Sequence, residues 1–288
     1  MKEENYMKGM LMIIASAFCF ACMNVCVRLA GDLPSVQKSF FRNIVAAVFA
    51  GIVIYRKHLC LRVEKQNLVP LAMRCIFGTM GILCNFYAID HLLVADASIL
   101  NKLSPFFAII FSFLLLKERI TPVQAGCVAL AFIGCIFIVK PGFQNTALFP
   151  ALIGVCGGMG AGIAYTMVRI LGTRGVKGPL IVFYFSVFSS IVVLPWIILE
   201  HEPMTLRQLG ILLLAGLCAA GGQFTITAAY TYAPARKISI FDYSQIIFAT
   251  MLGFVLFGEI PDVFSFAGYT LIILASLCMF IYNRRQGA

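Results

Sequence analysis

A chain of 288 residues that is 61% hydrophobic and only 12% charged cannot clothe a water-soluble globule, which carries about 25% charged residues. With a mean hydropathy of +0.95 its solvent must be mostly lipid, and at roughly 20 apolar residues per span the length admits about ten membrane helices and no soluble catalytic domain. The net charge of +10 is scattered over short loops without aromatic interleaving, which excludes a nucleic-acid surface and fits loop charge beside a membrane.

In chain order the apolar runs predict spans at about 9–29, 35–55, 68–90, 95–116, 121–140, 147–170, 178–199, 206–232, 238–257 and 262–282. The first run lacks a small-residue cleavage site before Gly31-Asp32, so it is counted as a span rather than a removed leader. Most loops are a few residues long, which favours antiparallel neighbours in one bundle. Of the 22 lysines and arginines, fifteen fall on the side of the N-terminus (2, 8, 56, 57, 62, 65, 117, 119, 169, 174, 177, 236, 237, 284 and 285). Only Arg28, Lys38, Lys140 and Arg207 fall on the other side. That bias predicts a multi-pass protein of the cell (plasma or inner) membrane with both termini cytoplasmic. The eleven cysteines, among them Cys19, Cys22, Cys84, Cys156 and Cys218, lie mostly inside apolar runs and read as small hydrophobes, with neither a disulfide nor a zinc site indicated.

The two halves repeat. Sliding the chain by 141 residues sets Ser98-Ile99 on Ser239-Ile240, Glu118 on Glu259, Arg28 on Arg169, Gly31 on Gly172, Gly81 on Gly222 and Ala88 on Ala229. The halves, 1–144 and 145–288, hold five spans each. Five is odd, so equivalent helices cross the membrane in opposite directions. Two inverted copies can exchange conformations around one midplane site, which is the architecture of secondary transporters working by alternating access.

The run Ser98-Ile-Leu-Asn-Lys-Leu-Ser-Pro105, then Lys117-Glu118-Arg119, Gly126, Gly134 and Lys140-Pro-Gly, resembles the drug/metabolite transporter superfamily, specifically its ten-span EamA-type members. The resemblance covers essentially the whole chain. It implies an all-α membrane protein of ten helices in two inverted five-helix repeats, with spans 1–4 and 6–9 lining a central cavity and spans 5 and 10 peripheral. The second half keeps Glu259 but has Ile246 at the position of Pro105 and Ile260 at that of Arg119, so the half-sites are not chemically equivalent.

A charge inside a span is costly unless paired or hydrated, and is a functional candidate by default. Arg28, Arg169, Glu118 and Glu259 sit at span ends, where anchoring or helix-end structure explains them. Arg42, Arg74, Lys102 and Asp242 lie about two turns inside. Arg74, Gly78, Gly81 and Asn85 form one helical stripe whose glycines would open space between the polar side chains. Ser98, Asn101, Lys102 and Pro105 form another, which the offset turns into Ser239, Asp242, Tyr243 and Ile246. Gln223, Thr227 and Tyr230 share a stripe, Asn24 adds a polar group from span 1, and Tyr165, Tyr230 and Tyr243 could cover an apolar portion of a substrate. The predicted substrate-binding set is therefore Asn24, Arg42, Arg74, Asn85, Asn101, Lys102, Tyr165, Gln223, Tyr230, Asp242 and Tyr243. Gly154, Gly158 and Gly162 read as close packing, and Asn43 as either glue between helices or part of the site.

Three deep cations against one deep anion favour an anionic or zwitterionic metabolite, amino-acid-like or an organic acid. The alternative is an organic cation, a quaternary amine or drug, held by Asp242 in a tyrosine cage. Whether Lys102 and Asp242 pair structurally, bind substrate or couple a proton stays open, as does proton coupling against exchange of metabolites. The three histidines, His58, His91 and His201, lie apart, and there is no phosphate-binding loop. An enzyme is therefore not expected, nor a cofactor or metal. The expected partners are a small-molecule substrate and the lipid bilayer.

Overall fold

In the computed structural model the described residues are 3–116, 120–140, 147–200, 202–232 and 239–286. Glu118, Arg119, Pro141, Gly142 and His201 lie outside them, as do the side chains of Arg169, Thr227, Tyr230 and Ser239. Among the described residues every regular element is helical. They are α1 Glu3–Leu29, α2 Ser35–Arg56, α3 Leu68–His91, α4 Val94–Asn101, α5 Ser104–Leu116, α6 Pro122–Val139, α7 Leu148–Thr173, α8 Gly178–Leu199, α9 Leu206–Tyr232, α10 Ser244–Phe257 and α11 Val263–Gln286. Short 3₁₀ turns precede α3 (Lys65–Asn67) and α10 (Ser239–Tyr243). Among the described residues nine stretches are long and apolar enough to cross a membrane, α4 and α5 counting as one, and Phe241–Phe257 is a shorter apolar tenth.

The ends follow ordinary rules. α6 opens on a capping box, in which the Thr121 hydroxyl accepts from the Gln124 amide and the Gln124 side chain accepts from the Thr121 amide, with Pro122 at the first position. α10 stops at Gly258, whose φ of 66° is the left-handed conformation that glycine adopts at no steric cost.

Packing obeys the two-fold relation between the repeats. α1 packs on α9, and its counterpart α7 packs on α3; α2 on α9 corresponds to α8 on α3; α1 on α10 corresponds to α7 on α4 and α5. The pairs α2–α8 and α6–α11 each join a helix to its own counterpart, and α4 on α10 joins span 4 to span 9. The largest helix contacts therefore run between the two inverted repeats, not within either one.

Where these helices cross most closely, glycines let backbones touch. A Cβ on Gly160 would come within 2.9 Å of the Phe77 carbonyl oxygen, and one on Gly81 within 3.0 Å of the Ala161 amide. Gly81 is thus used for the α3–α7 crossing as well as for the space the sequence pattern assigned to it. Gly154, Gly158 and Gly162 face α4 and α5: a Cβ on Gly158 would meet the Leu100 carbonyl at 2.6 Å, and one on Gly162 the Phe107 Cβ at 2.5 Å. That stripe packs.

Spans 4 and 9 are both interrupted. Pro105 has no N–H to return to the Asn101 carbonyl, and the helix breaks at Lys102-Leu103 before restarting at Ser104. In span 9 the 3₁₀ turn Ser239–Tyr243 replaces the first helical turns, although Ile246 stands in the place of Pro105. Non-helical backbone at membrane depth persists only where protein or a cavity satisfies its polar groups. Here the Tyr243 hydroxyl donates to the Lys102 carbonyl at 3.2 Å. Residues 102 and 243 are equivalent under the 141-residue offset, so the two breaks meet each other across the pseudo-axis.

Candidate substrate-binding site

The breaks border a cavity of about 120 Å³ among the helices, the liquid volume of about four waters. Its lining comes from α1, α2, α3, the α4 end, α7, α8, α9 and the start of span 9, whereas α6 and α11 contribute nothing to it. Of the residues expected from sequence, Asn24, Arg42, Arg74, Asn85, Asn101, Lys102, Tyr165, Gln223 and Asp242 line this one cavity. Tyr243 is buried behind the wall, held to the Lys102 carbonyl. Tyr230 belongs to α9, with its side chain outside the described part. Tyr165 is half exposed, unlike the buried arginines.

Arg42 and Arg74 form the basic end. They are only 5% and 8% exposed, and among the described residues neither has a carboxylate partner. Arg74 lays its guanidinium on the Phe185 ring, 3.9 Å from the centroid, while that of Arg42 lies 5.9 Å from the same ring. A desolvated cation gains about 2 kcal/mol from such a face, far less than a buried ion loses on leaving water. Arg42 Nη1 also donates to Asn43 Oδ1 at 2.6 Å, and Asn43 Nδ2 donates to Ser39 Oγ at 3.1 Å and Ser189 Oγ at 2.8 Å. Asn43 is thus both glue between α2 and α8 and the group that aims Arg42.

The glycine one turn beyond Arg74 makes its pose feasible. A Cβ at Gly78 would collide with Arg74 Nη1 and come within 2.9 Å of the Phe185 ring. Gly78→Ala is expected to push the guanidinium off the ring and weaken ligand binding in the cavity about tenfold, the low end of what one charge-assisted hydrogen bond is worth, while the protein still melts cooperatively. Binding at the wild-type affinity would show that the pose of Arg74 does not matter.

At the other end Lys102 Nζ and Asp242 Oδ2 pair at 2.5 Å, one residue from each break. Asn24 Nδ2 donates to Ser98 Oγ at 3.0 Å, which ties α1 to α4 one turn before Lys102. Among the described residues, four buried polar atoms of this set have no hydrogen-bond partner: Asn24 Oδ1, Arg42 Nε, Arg74 Nε and Asp242 Oδ1. Orphaned polar atoms of this kind cost about 1–3 kcal/mol each, and their concentration around one cavity marks it as built for something polar.

The EamA-like transporter profile matches residues 7–140 and again 148–281. The chain belongs to the EamA-like transporter family. It is 32% identical to the pseudopaline exporter of Pseudomonas aeruginosa, the alignment covering 97% of both chains. It is 27% identical to a riboflavin transporter of Brucella anthropi, over 92% of this chain and 95% of that one. A protein of known crystal structure superposes with a TM-score of 0.65 over 97% of this chain and 99% of the other, at 13% identity, a likeness of fold.

Within this EamA-like fold several site residues escape sequence reasoning. Phe185, which carries both guanidiniums, is one of 26 phenylalanines, and no pattern separates a cation platform from a lipid-facing ring. Gln245 lines the cavity one turn into span 9 and could have been found by extending the Asp242 stripe by three residues. The span-end charges do more than anchor. Arg28 Nη1 donates to the carbonyls of Ile89 (2.5 Å) and Leu92 (3.2 Å), and its Nη2 lies 3.4 Å from Glu259 Oε1. Glu259 Oε2 accepts from the Val94 amide at 2.8 Å. Lys38, counted from sequence among the four charges on the side away from the N-terminus, is wholly buried in the first turn of α2 and pairs with Asp90 at 2.5 Å, because the bundle encloses the turn that the apolar pattern leaves at the rim.

Proposed function

We propose that this chain is a secondary transporter, active or facilitative, that moves a small anionic or zwitterionic metabolite by alternating access of its two inverted repeats, 1–144 and 145–288. The observation that carries the reading is the buried Arg42–Arg74 pair, which faces one cavity and has no carboxylate partner among the described residues. Two desolvated cations without counter-charge are costly to fold, and a carboxylate-bearing substrate offsets that cost at the moment it binds. Inverted repeats with interrupted spans at a shared central cavity support alternating access. The excess of lysine and arginine on one side supports cytoplasmic termini in the cell membrane. An organic cation is the weaker reading, because it would leave the buried Arg42 and Arg74 without a counter-charge.

Reconstitution into liposomes tests this directly. The panel holds amino acids, organic acids and quaternary amines, assayed with and without a pH gradient and with metabolite preloaded on the far side. Resemblance to a pseudopaline exporter makes pseudopaline the first compound to try, in the export direction. Flux of acids or zwitterions that vanishes in Arg42→Ala and Arg74→Ala supports the reading. Flux of amines alone, indifferent to both substitutions, overturns it. A response to the pH gradient separates proton coupling from exchange.

A further inference from the structure

The cavity is bipolar, and its second pole has received no occupant. At the Phe185 end stand two cations with no carboxylate partner among the described residues. At the other end stand two buried acceptors, Asp242 Oδ1 and Asn24 Oδ1, with no donor among the described residues. Asn24 is 1% exposed, and its amide nitrogen is fixed on Ser98, so its oxygen is the half left over. The Asp242 carboxylate gives Oδ2 to Lys102 and leaves Oδ1 idle. The carboxylate's terminal torsion is soft, so a small turn aims Oδ1 at the cavity while the flexible Lys102 side chain follows Oδ2.

A simple dicarboxylate would satisfy the guanidiniums and leave both oxygens orphaned. A group with several N–H donors and a positive charge satisfies them, and an alkylammonium has up to three donors. From these two poles we infer that the substrate is an amino dicarboxylate, whose carboxylates sit at Arg42 and Arg74 and whose ammonium binds Asp242 Oδ1 and Asn24 Oδ1, sharing Asp242 with Lys102. This rests on the anion-or-zwitterion reading above and narrows it to molecules carrying both charges. Lys102 then acts as the placeholder that neutralises Asp242 when the cavity is empty. The substrate ammonium is recognised by the carboxylate that the lysine leaves half-used.

The test is thermal stabilisation of the detergent-purified full chain by matched sets: aspartate, glutamate, 2-aminoadipate and 2-aminopimelate, each beside its deamino diacid and its bis-amide. The expected result is that the amino diacids act at concentrations at least tenfold below their deamino counterparts, one charge-assisted hydrogen bond being worth about that factor. The bis-amides should not act. Asp242→Asn should bring the amino-to-deamino ratio to about one. Lys102→Gln should widen it, because Asp242 then has no other cation. That opposite sign keeps the test alive should Asp242→Asn fail to fold. Equal action of amino and deamino acids on the wild type, or a ratio that Lys102→Gln narrows, overturns the inference and leaves the anion reading standing. Response to the bis-amides alone overturns both, and silence across the panel overturns the amino-dicarboxylate assignment.

Discussion

Replacing Arg74 with methionine is expected to lower transport at least about thirtyfold and, in the same protein, to raise the melting temperature. The two effects share one cause. Arg74 is 8% exposed, has no carboxylate partner among the described residues, and rests on the Phe185 ring. In the empty protein its charge is a net cost. Exchanging a buried ion pair for apolar side chains of similar volume is neutral or stabilises by about 1–4 kcal/mol; an ion without a carboxylate has less attraction to lose, and methionine adapts well to irregular gaps. With substrate bound the sign reverses, because a charge-assisted hydrogen bond to a carboxylate contributes about 2 kcal/mol, a factor of about 30. A residue kept for packing would behave the opposite way, losing stability and activity together.

Arg42 provides the comparison. Its Nη1 donates to Asn43 Oδ1, and Asn43 in turn holds Ser39 and Ser189. Arg42→Met should therefore lose transport as Arg74→Met does, but gain less stability, because it leaves an orphaned amide oxygen costing about 1–3 kcal/mol. Scanning fluorimetry beside liposome flux reads both quantities. A lower melting temperature for Arg74→Met, or undiminished flux, removes Arg74 from the binding site.

Much of this was legible because membrane proteins write their fold in hydropathy. Apolar length gave the spans, and the 141-residue offset gave the repeat. Parity made that repeat inverted. Charge depth and helical stripes brought most of the cavity-lining polar residues together without coordinates, since a polar group in a span has few places to go except inward. Other features carried no signal. The 3₁₀ start of span 9 is hidden because Ser239–Tyr243 continues an apolar run and Ile246 replaces the proline that betrays the break in span 4. The offset sets Lys102 on Tyr243 and Asn101 on Asp242, yet self-alignment cannot say that equivalent positions touch. The bundle decides that by pressing the two breaks together, so that Lys102 meets Asp242 with its ammonium and Tyr243 with its carbonyl. Arg28 and Glu259 hid the same way: each looked like a rim charge because its partner lies in the other repeat.

That cross-repeat tie is where the second large effect is expected. Arg28 at the end of α1 holds the Ile89 and Leu92 carbonyls of the turn between α3 and α4, and Glu259 beyond α10 holds the Val94 amide on the same turn. Gly253 makes the room, since a Cβ there would stand 3.0 Å from Glu259 Oε2. Two side chains thus knot four spans from both repeats at one end of the bundle. Arg28→Met should destabilise the protein by about 3 kcal/mol, because it strands a largely buried carboxylate along with two carbonyl oxygens. Glu259→Gln should do less, as the amide still accepts from Val94 and a desolvated charge is removed. The double variant should recover part of the loss, a coupling that a double-mutant cycle isolates. Loosening the knot also favours the state open at that end, to the extent that the tie exists only in the closed one. A cysteine placed at Ile82 in the cavity wall should then react faster with a membrane-impermeant thiol reagent from the Arg28 side in Arg28→Met than in an otherwise unchanged chain. If the single losses simply add and the labelling rate is unchanged, the pair is a helix-end anchor and the closure of that end is held by packing alone.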